Sequence, residues 1–289
     1  MFRVQNPYSQ HAAFVAPAWN RTELWRIFVM MIVFEVAFVM APAIVAGFMM
    51  NEAAQIAYYD GVTALASIAQ FATFGVTAWI FVFVLRRVHD RGFWSLIGVG
   101  GVLLSLEILY GFSGAPDIQM QSFPRWIFLM PIMLVTLLIQ VGTEEIFFRG
   151  YLQQQLRCFS AHTLVWMAIP SLIFGLAHYP NGDGVADGVI WAIWAAALGL
   201  ACADLTARSG TLGAAIGLHL ANNIIAIAII NFEGSPTSGL ALFLYPAFDR
   251  SELDLSAEAL FTIGAAAELL VLLMHVLVMW LAARVAIRR

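Results

Sequence analysis

Eight runs of apolar residues, each long enough to cross a hydrocarbon layer about 30 Å thick or nearly so, constrain what this chain can fold into. They fall at about 25–49, 62–85, 93–113, 126–148, 163–178, 186–205, 211–231 and 259–285. Inside lipid the backbone has no water to bond, so runs of this length are read as helices. Composition agrees: 62% of the 289 residues are hydrophobic and 11% are charged, against about 25% charged in soluble domains. The expectation is an all-α integral membrane protein with about eight transmembrane helices. A cytoplasmic segment at 1–24 precedes a single polytopic domain at 25–289. The start lacks the ordered features of a removable signal peptide, and no internal repeat is visible.

The basic residues supply the orientation. All fourteen are arginines. With the runs threaded in order, Arg3, Arg21, Arg26, Arg86, Arg87, Arg91, Arg149, Arg157, Arg208, Arg284, Arg288 and Arg289 fall on one side. Only Arg125 and Arg250 fall on the other, whose loops carry Glu52, Asp60, Asp183 and Asp187. By the positive-inside rule both termini are cytoplasmic, and a prokaryotic cell membrane is the expected location. The absence of a basic patch excludes nucleic acid as a partner. Cys158 and Cys202 are far apart and read as buried apolar residues rather than as a disulfide or a zinc site.

Polar residues left at membrane depth are costly and usually pair, line water or do chemistry. Glu144 and Glu145 are adjacent acids in such a run, with Arg149 four residues on. Residues four apart share a helix face, so Glu145 and Arg149 pair, whereas Glu144 lies about 100° round. One acid is neutralised and the other is left as a candidate base. His178 ends the next apolar run, with Phe174 on its face; His219 and Asn223 share a face of a later one. At about 1.5 Å per residue, Glu144, His178, His219 and Asn223 reach similar depths, so the polar site is expected among helices 4, 5 and 7, nearer the cytoplasmic face. The stretch Arg149 to Arg157, with Gln153, Gln154 and Gln155, is read as an amphipathic segment projecting from the membrane. A carboxylate and a histidine that hold a water, facing a histidine and an amide that hold an oxyanion, suit peptide hydrolysis. The same His and Glu side chains are also zinc ligands, although no HExxH is present.

Glu144-Glu145-x-x-x-Arg149, Phe174-x-x-x-His178 and His219-x-x-x-Asn223, in this order on three apolar regions, resemble the motifs of the CPBP family, the type II CAAX prenyl proteases and bacteriocin-processing or Abi proteins. The likeness covers about 140–225, within a core at about 126–231, and includes Phe148-Arg149-Gly150-Tyr151-Leu152. It implies an eight-helix intramembrane endopeptidase that cleaves a membrane-associated protein or peptide, prenylated or otherwise lipidated. It also implies roles: Glu144 as the base, with His178 beside it, His219 and Asn223 as oxyanion donors, and Glu145, Arg149 and Phe174 as support. No cofactor is favoured. Zinc is the alternative, with Glu144, His178 and His219 as ligands.

Two other readings stay open at this point. One is a non-catalytic scaffold or immunity factor of the same fold. The other is a proton-coupled transporter using Glu35, Glu107, Glu268 and His275, though these also serve as interhelical hydrogen-bond partners. Asp204 and Arg208, four apart at a helix end, are read as a local pair.

Overall fold

The computed structural model describes residues 7–49, 51–97, 118–247 and 256–287. Its helices are α1 (Ser9–Val15), α2 (Leu24–Gly47), α3 (Glu52–Asp60), α4 (Ala64–Val88), α5 (Trp94–Ile97), α6 (Phe123–Glu145), α7 (Gln153–Phe159), α8 (Ile169–Ala177), α9 (Val185–Ser209), α10 (Gly213–Asn223) and α11 (Ile263–Ile287). Little sheet accompanies them, and the chain is an all-α membrane protein. Of the third expected run only the start is described; Glu107 lies outside the described residues.

Among the described residues five helices are long and apolar enough to cross a membrane: Leu24–Gly47, Ala64–Val88, the continuous rod Phe123–Phe159, Val185–Ser209 and Ile263–Ile287. The fifth and seventh expected runs form shorter helices. The fifth stops at His178 because Pro180, Asn181 and Gly182 follow in a tight turn. The seventh extends to Ile229 and passes directly into a strand.

Among the described residues three short runs are π-helical: Ile146–Leu152, Leu164–Ala168 and Ile224–Ile229. The first follows the paired acids, the second precedes Phe174 and His178, and the third follows Asn223. Such local over-widening of a helix recurs at functional sites.

The helices pack in succession, α2 on α4, α4 on α6, α6 on α10, α10 on α9, and α9 on both α8 and α11. Phe147 stacks on Phe34 at 3.8 Å between ring centroids, and edge-to-face contacts link Phe81, Tyr151, Phe148 and Phe174 to this pair and to one another. Where α8 crosses α9 the backbones nearly touch: a Cβ on Gly175 would lie 2.4 Å from the Ala192 carbonyl oxygen. Small residues permit this approach, which in lipid replaces the hydrophobic effect as the source of attraction.

The two ends of the bundle differ. At one end, Arg26 bonds to the Val88 carbonyl, His89 to that of Arg21, and Arg91 to Gln154 at 2.5 Å. Tyr8, Arg208 and Trp280 meet there on Asp204. The opposite end carries a three-stranded sheet of β1 (Gln119–Met120), β2 (Ile230–Phe232) and β3 (Phe243–Tyr245), with β3 central, antiparallel to β1 and parallel to β2. Trp126 donates to the Ala228 carbonyl at 2.8 Å and ties this sheet to the start of α6.

The N-terminal segment is folded against the bundle. In α1, His11, Phe14 and Val15 are buried, and the His11 ring stacks on Trp166 at 4.5 Å. This packing also corrects the expected amphipathic projection, since Gln153, Gln154 and Gln155 are all fully buried. Gln153 bonds the Ala203 carbonyl on α9, Gln154 the Ser95 carbonyl on α5, and Gln155 the His89 ring. Glu35 and Glu268 lie exposed on α2 and α11, with His275 half-buried on the latter.

Candidate active site

The last two turns of α6 carry Gln140, Thr143, Glu144 and Glu145, all buried. Glu145 is sealed, with a side-chain exposure of 0%, and its Oε1 takes Arg149 Nη1 at 2.8 Å. Glu144 keeps 12% of its side chain exposed. Of the two acids, Glu144 is the one whose side chain reaches the surface of the bundle.

Three neighbouring helices hold the sealed pair. From α10, His219 Nδ1 donates to Glu145 Oε1 at 2.9 Å. From α8, the Phe174 ring lies 4.7 Å from the Arg149 guanidinium carbon and edge-on to His219 at 5.7 Å, a cation–π contact strengthened by exclusion of water. From α9, Gly199 makes the room: a Cβ there would lie 2.9 Å from Arg149 Nη2 and 3.1 Å from Ser171 Cβ. The Cys202 thiol, one turn along the same helix, lies against Glu145. Sequence reading gave α9 no part in the site, because a glycine and a cysteine carry no signal of their own among so many small residues.

Both ring nitrogens of His219 face carboxylates. Nδ1 is on Glu145, and Nε2 lies 3.6 Å from Glu144 Oε2. Glu144 Oε2 and Glu145 Oε2 have no hydrogen-bond partner, and neither do Arg149 Nε and Nη2. Buried polar atoms left open in this way are uncommon and call for an explanation.

His178 caps α8, where its Nδ1 donates to the Phe174 carbonyl at 2.8 Å and its ring lies 4.3 Å from that of Phe174. It stands within electrostatic reach of Glu144. Asn223 ends α10 and donates to Gln140 Oε1 at 2.9 Å, while Gln140 Nε2 donates to Glu144 Oε1 at 2.7 Å. The structure therefore brings Glu144, Glu145, Arg149, Phe174 and His219 together and joins Asn223 to them through Gln140. Its one departure from the expected geometry is that His219 and Asn223 turn their polar atoms to Glu144, Glu145 and Gln140 rather than into a shared open space. Gln140 was missed in the sequence, although its position four residues before Glu144 places both on one helix face.

Among the described residues no group of three His, Cys, Asp or Glu side chains is arranged to hold a metal ion, the set Glu144, His178 and His219 included. His219 gives its Nδ1 to Glu145 and His178 its Nδ1 to the Phe174 carbonyl, which leaves Nε2 of each ring as the atom able to take a ligand or a water.

Residues 126–225 match the model of the family described as "Type II CAAX prenyl endopeptidase Rce1-like". That stretch holds all three motifs, and the family resemblance they carry is borne out over it. The match and the long apolar helices point to a multi-pass membrane protein. The chain is also similar to "Uncharacterized protein YyaK" of Bacillus subtilis (strain 168), 30% identical over 186 residues that cover 59% of this chain and 61% of that protein. It thus spans about three fifths of the length of the curated relative it matches. No solved structure matches the chain.

Proposed function

We propose that the chain is an intramembrane endopeptidase of the cell membrane, with both termini cytoplasmic, that hydrolyses a peptide bond in a membrane-associated, lipidated protein or peptide. The observation that carries this reading is the division of labour between two adjacent acids. Glu145 is sealed and its Oε1 is neutralised by Arg149 and His219, whereas Glu144 is hydrogen-bonded by the uncharged Gln140 and keeps part of its side chain accessible.

The chemistry follows from that accessible acid. Glu144 Oε2 is the base: it takes a proton from water as the water oxygen bonds to the scissile carbonyl carbon. The carbonyl oxygen becomes an oxyanion, which accepts the second N–H of the Asn223 amide, the first being held by Gln140, while His219 turns its Nε2 edge towards the same space. On collapse the C–N bond breaks, and the proton held by Glu144 passes to the leaving nitrogen. His178 flanks the water. Glu145 and Arg149 fix the His219 ring, so their role is positional. No metal enters this scheme.

The test is a comparison of membrane proteomes from cells carrying wild type or Glu144→Gln at matched abundance. Peptide termini present only with the wild type are the expected result and name the substrate. Proteomes without such a difference, together with full complementation of the deletion phenotype by Glu144→Gln, overturn the reading in favour of a scaffold that acts by contact.

A further inference from the structure

Three amides form a directional chain that ends on the proposed base. Asn222 Nδ2 donates to Asn223 Oδ1 at 3.1 Å, Asn223 Nδ2 to Gln140 Oε1 at 2.9 Å, and Gln140 Nε2 to Glu144 Oε1 at 2.7 Å. Asn223 and Gln140 each accept on the amide oxygen from one neighbour and donate from the nitrogen to the next. The order is forced from the far end, since a carboxylate only accepts: reversing Gln140 would set oxygen against oxygen. Amide dipoles joined head to tail polarise one another. The bonds also shorten towards Glu144, as expected where the last acceptor carries the charge.

We propose that this chain is a positioning relay, in which Gln140, backed by Asn222, ties down Glu144 Oε1 and thereby selects Oε2 as the oxygen that works on water. The proposal rests on the reading of Glu144 as base and adds two residues to it. Neither Gln140 nor Asn222 belongs to the three motifs, and both are buried between α6 and α10. The effect is to break the equivalence of the two carboxylate oxygens. One is held by an uncharged donor on its own helix, and the other faces His219. A carboxylate free to rotate would instead divide its time between two geometries, one of which is unproductive.

The other charged or titratable groups around Glu144 are Glu145 and Arg149 on its own rod, His219 from α10, His178 from α8 and Cys202 from α9. A change at Gln140 removes none of them, so a response confined to Glu144 reports the relay. Gln140→Met keeps the length and removes both hydrogen bonds.

The experiment uses the full-length protein in lipid vesicles and reads the infrared carboxylate stretching bands of Glu144, isolated by subtracting the spectrum of Glu144→Gln. The expected result is that Gln140→Met shifts those bands, because one oxygen loses its donor. Asn222→Leu, at the remote end, moves them in the same direction by less. Bands identical to wild type in both variants overturn the relay. Should Gln140→Met fail to accumulate, Asn222→Leu decides on the same criterion. The readout needs no substrate, so it separates the two ideas. Proteolysis that survives Glu144→Gln sinks the base while leaving a band shift intact, and unmoved bands sink the relay while leaving the base intact.

Discussion

Two acid–arginine pairs, each four residues apart on one helix, sit at different places in this bundle and behave differently. Asp204 and Arg208, near the end of α9, are about a tenth exposed, and every polar contact of the acid is with a donor. Arg208 Nε reaches both carboxylate oxygens at 2.9 and 2.7 Å, Tyr8 donates from α1 at 3.0 Å, and Trp280 from α11 at 2.8 Å. The pair is a fastener that binds the two terminal helices to α9. Glu145 and Arg149 obey the same local rule but are fully buried, share a histidine, and leave two arginine nitrogens without partners. Local spacing makes a pair in both cases. What surrounds it decides whether the pair closes a structure or holds a reactive neighbour in place.

The sharpest way to break this comparison is at Glu144, which only one of the pairs has beside it. Glu144→Gln is expected to lower proteolysis by about 10²–10⁴-fold, the worth of a positioned base, with abundance unchanged by immunoblot. Arg149→Met should come next, destabilising the protein by about 3–5 kcal/mol because it strands a buried carboxylate; thermal unfolding in detergent and steady-state abundance measure it. Arg208→Met should cost only about 1 kcal/mol, since that pair is partly solvated and Asp204 keeps Tyr8 and Trp280. Equal losses in the two arginine variants would erase the distinction.

The smallest expected effect is on pH dependence at the fastened end. Burial, aided by Arg157, lowers the His11 imidazole from its usual range to about 4. Above about pH 6.5 the ring is neutral whether the chain is folded or not. As pH falls from there towards 4 the unfolded chain takes the proton first, so stability declines over that window. His11→Phe, which keeps the stack on Trp166, should flatten the melting temperature against pH between 6.5 and 4.

The parts of this site legible in the sequence were those fixed by helix geometry alone. The fourfold spacing of Glu145 with Arg149 put them on one face, and the even rise of a helix brought Glu144, His219 and Asn223 to one level. What the spacing left out depends on contacts between distant segments. The Asp204 pair read as local because its other partners lie 196 and 76 residues away. Gln153, Gln154 and Gln155 looked solvated because nothing in their own stretch shows that α1 and α5 close over them. The amide relay escaped for another reason: Asn222 and Asn223 are neighbours whose side chains leave the helix in different directions, and only the fold joins them to Gln140.

The rod Phe123–Phe159 is 37 residues long, roughly 55 Å at the rise of an α-helix, against about 30 Å of hydrocarbon. Glu144 comes roughly 30 Å from its start. With Trp126 set at the lipid boundary, as the proposed function has it, the acids come where the hydrocarbon gives out, and the buried glutamines belong to the stretch beyond it. The rod is thus a ruler laid across the bilayer, with its working mark at the rim. A bond a few residues from a lipid tether meets that mark while the tether stays in the oil, whereas a bond at the centre of a membrane helix must first be drawn out and unwound.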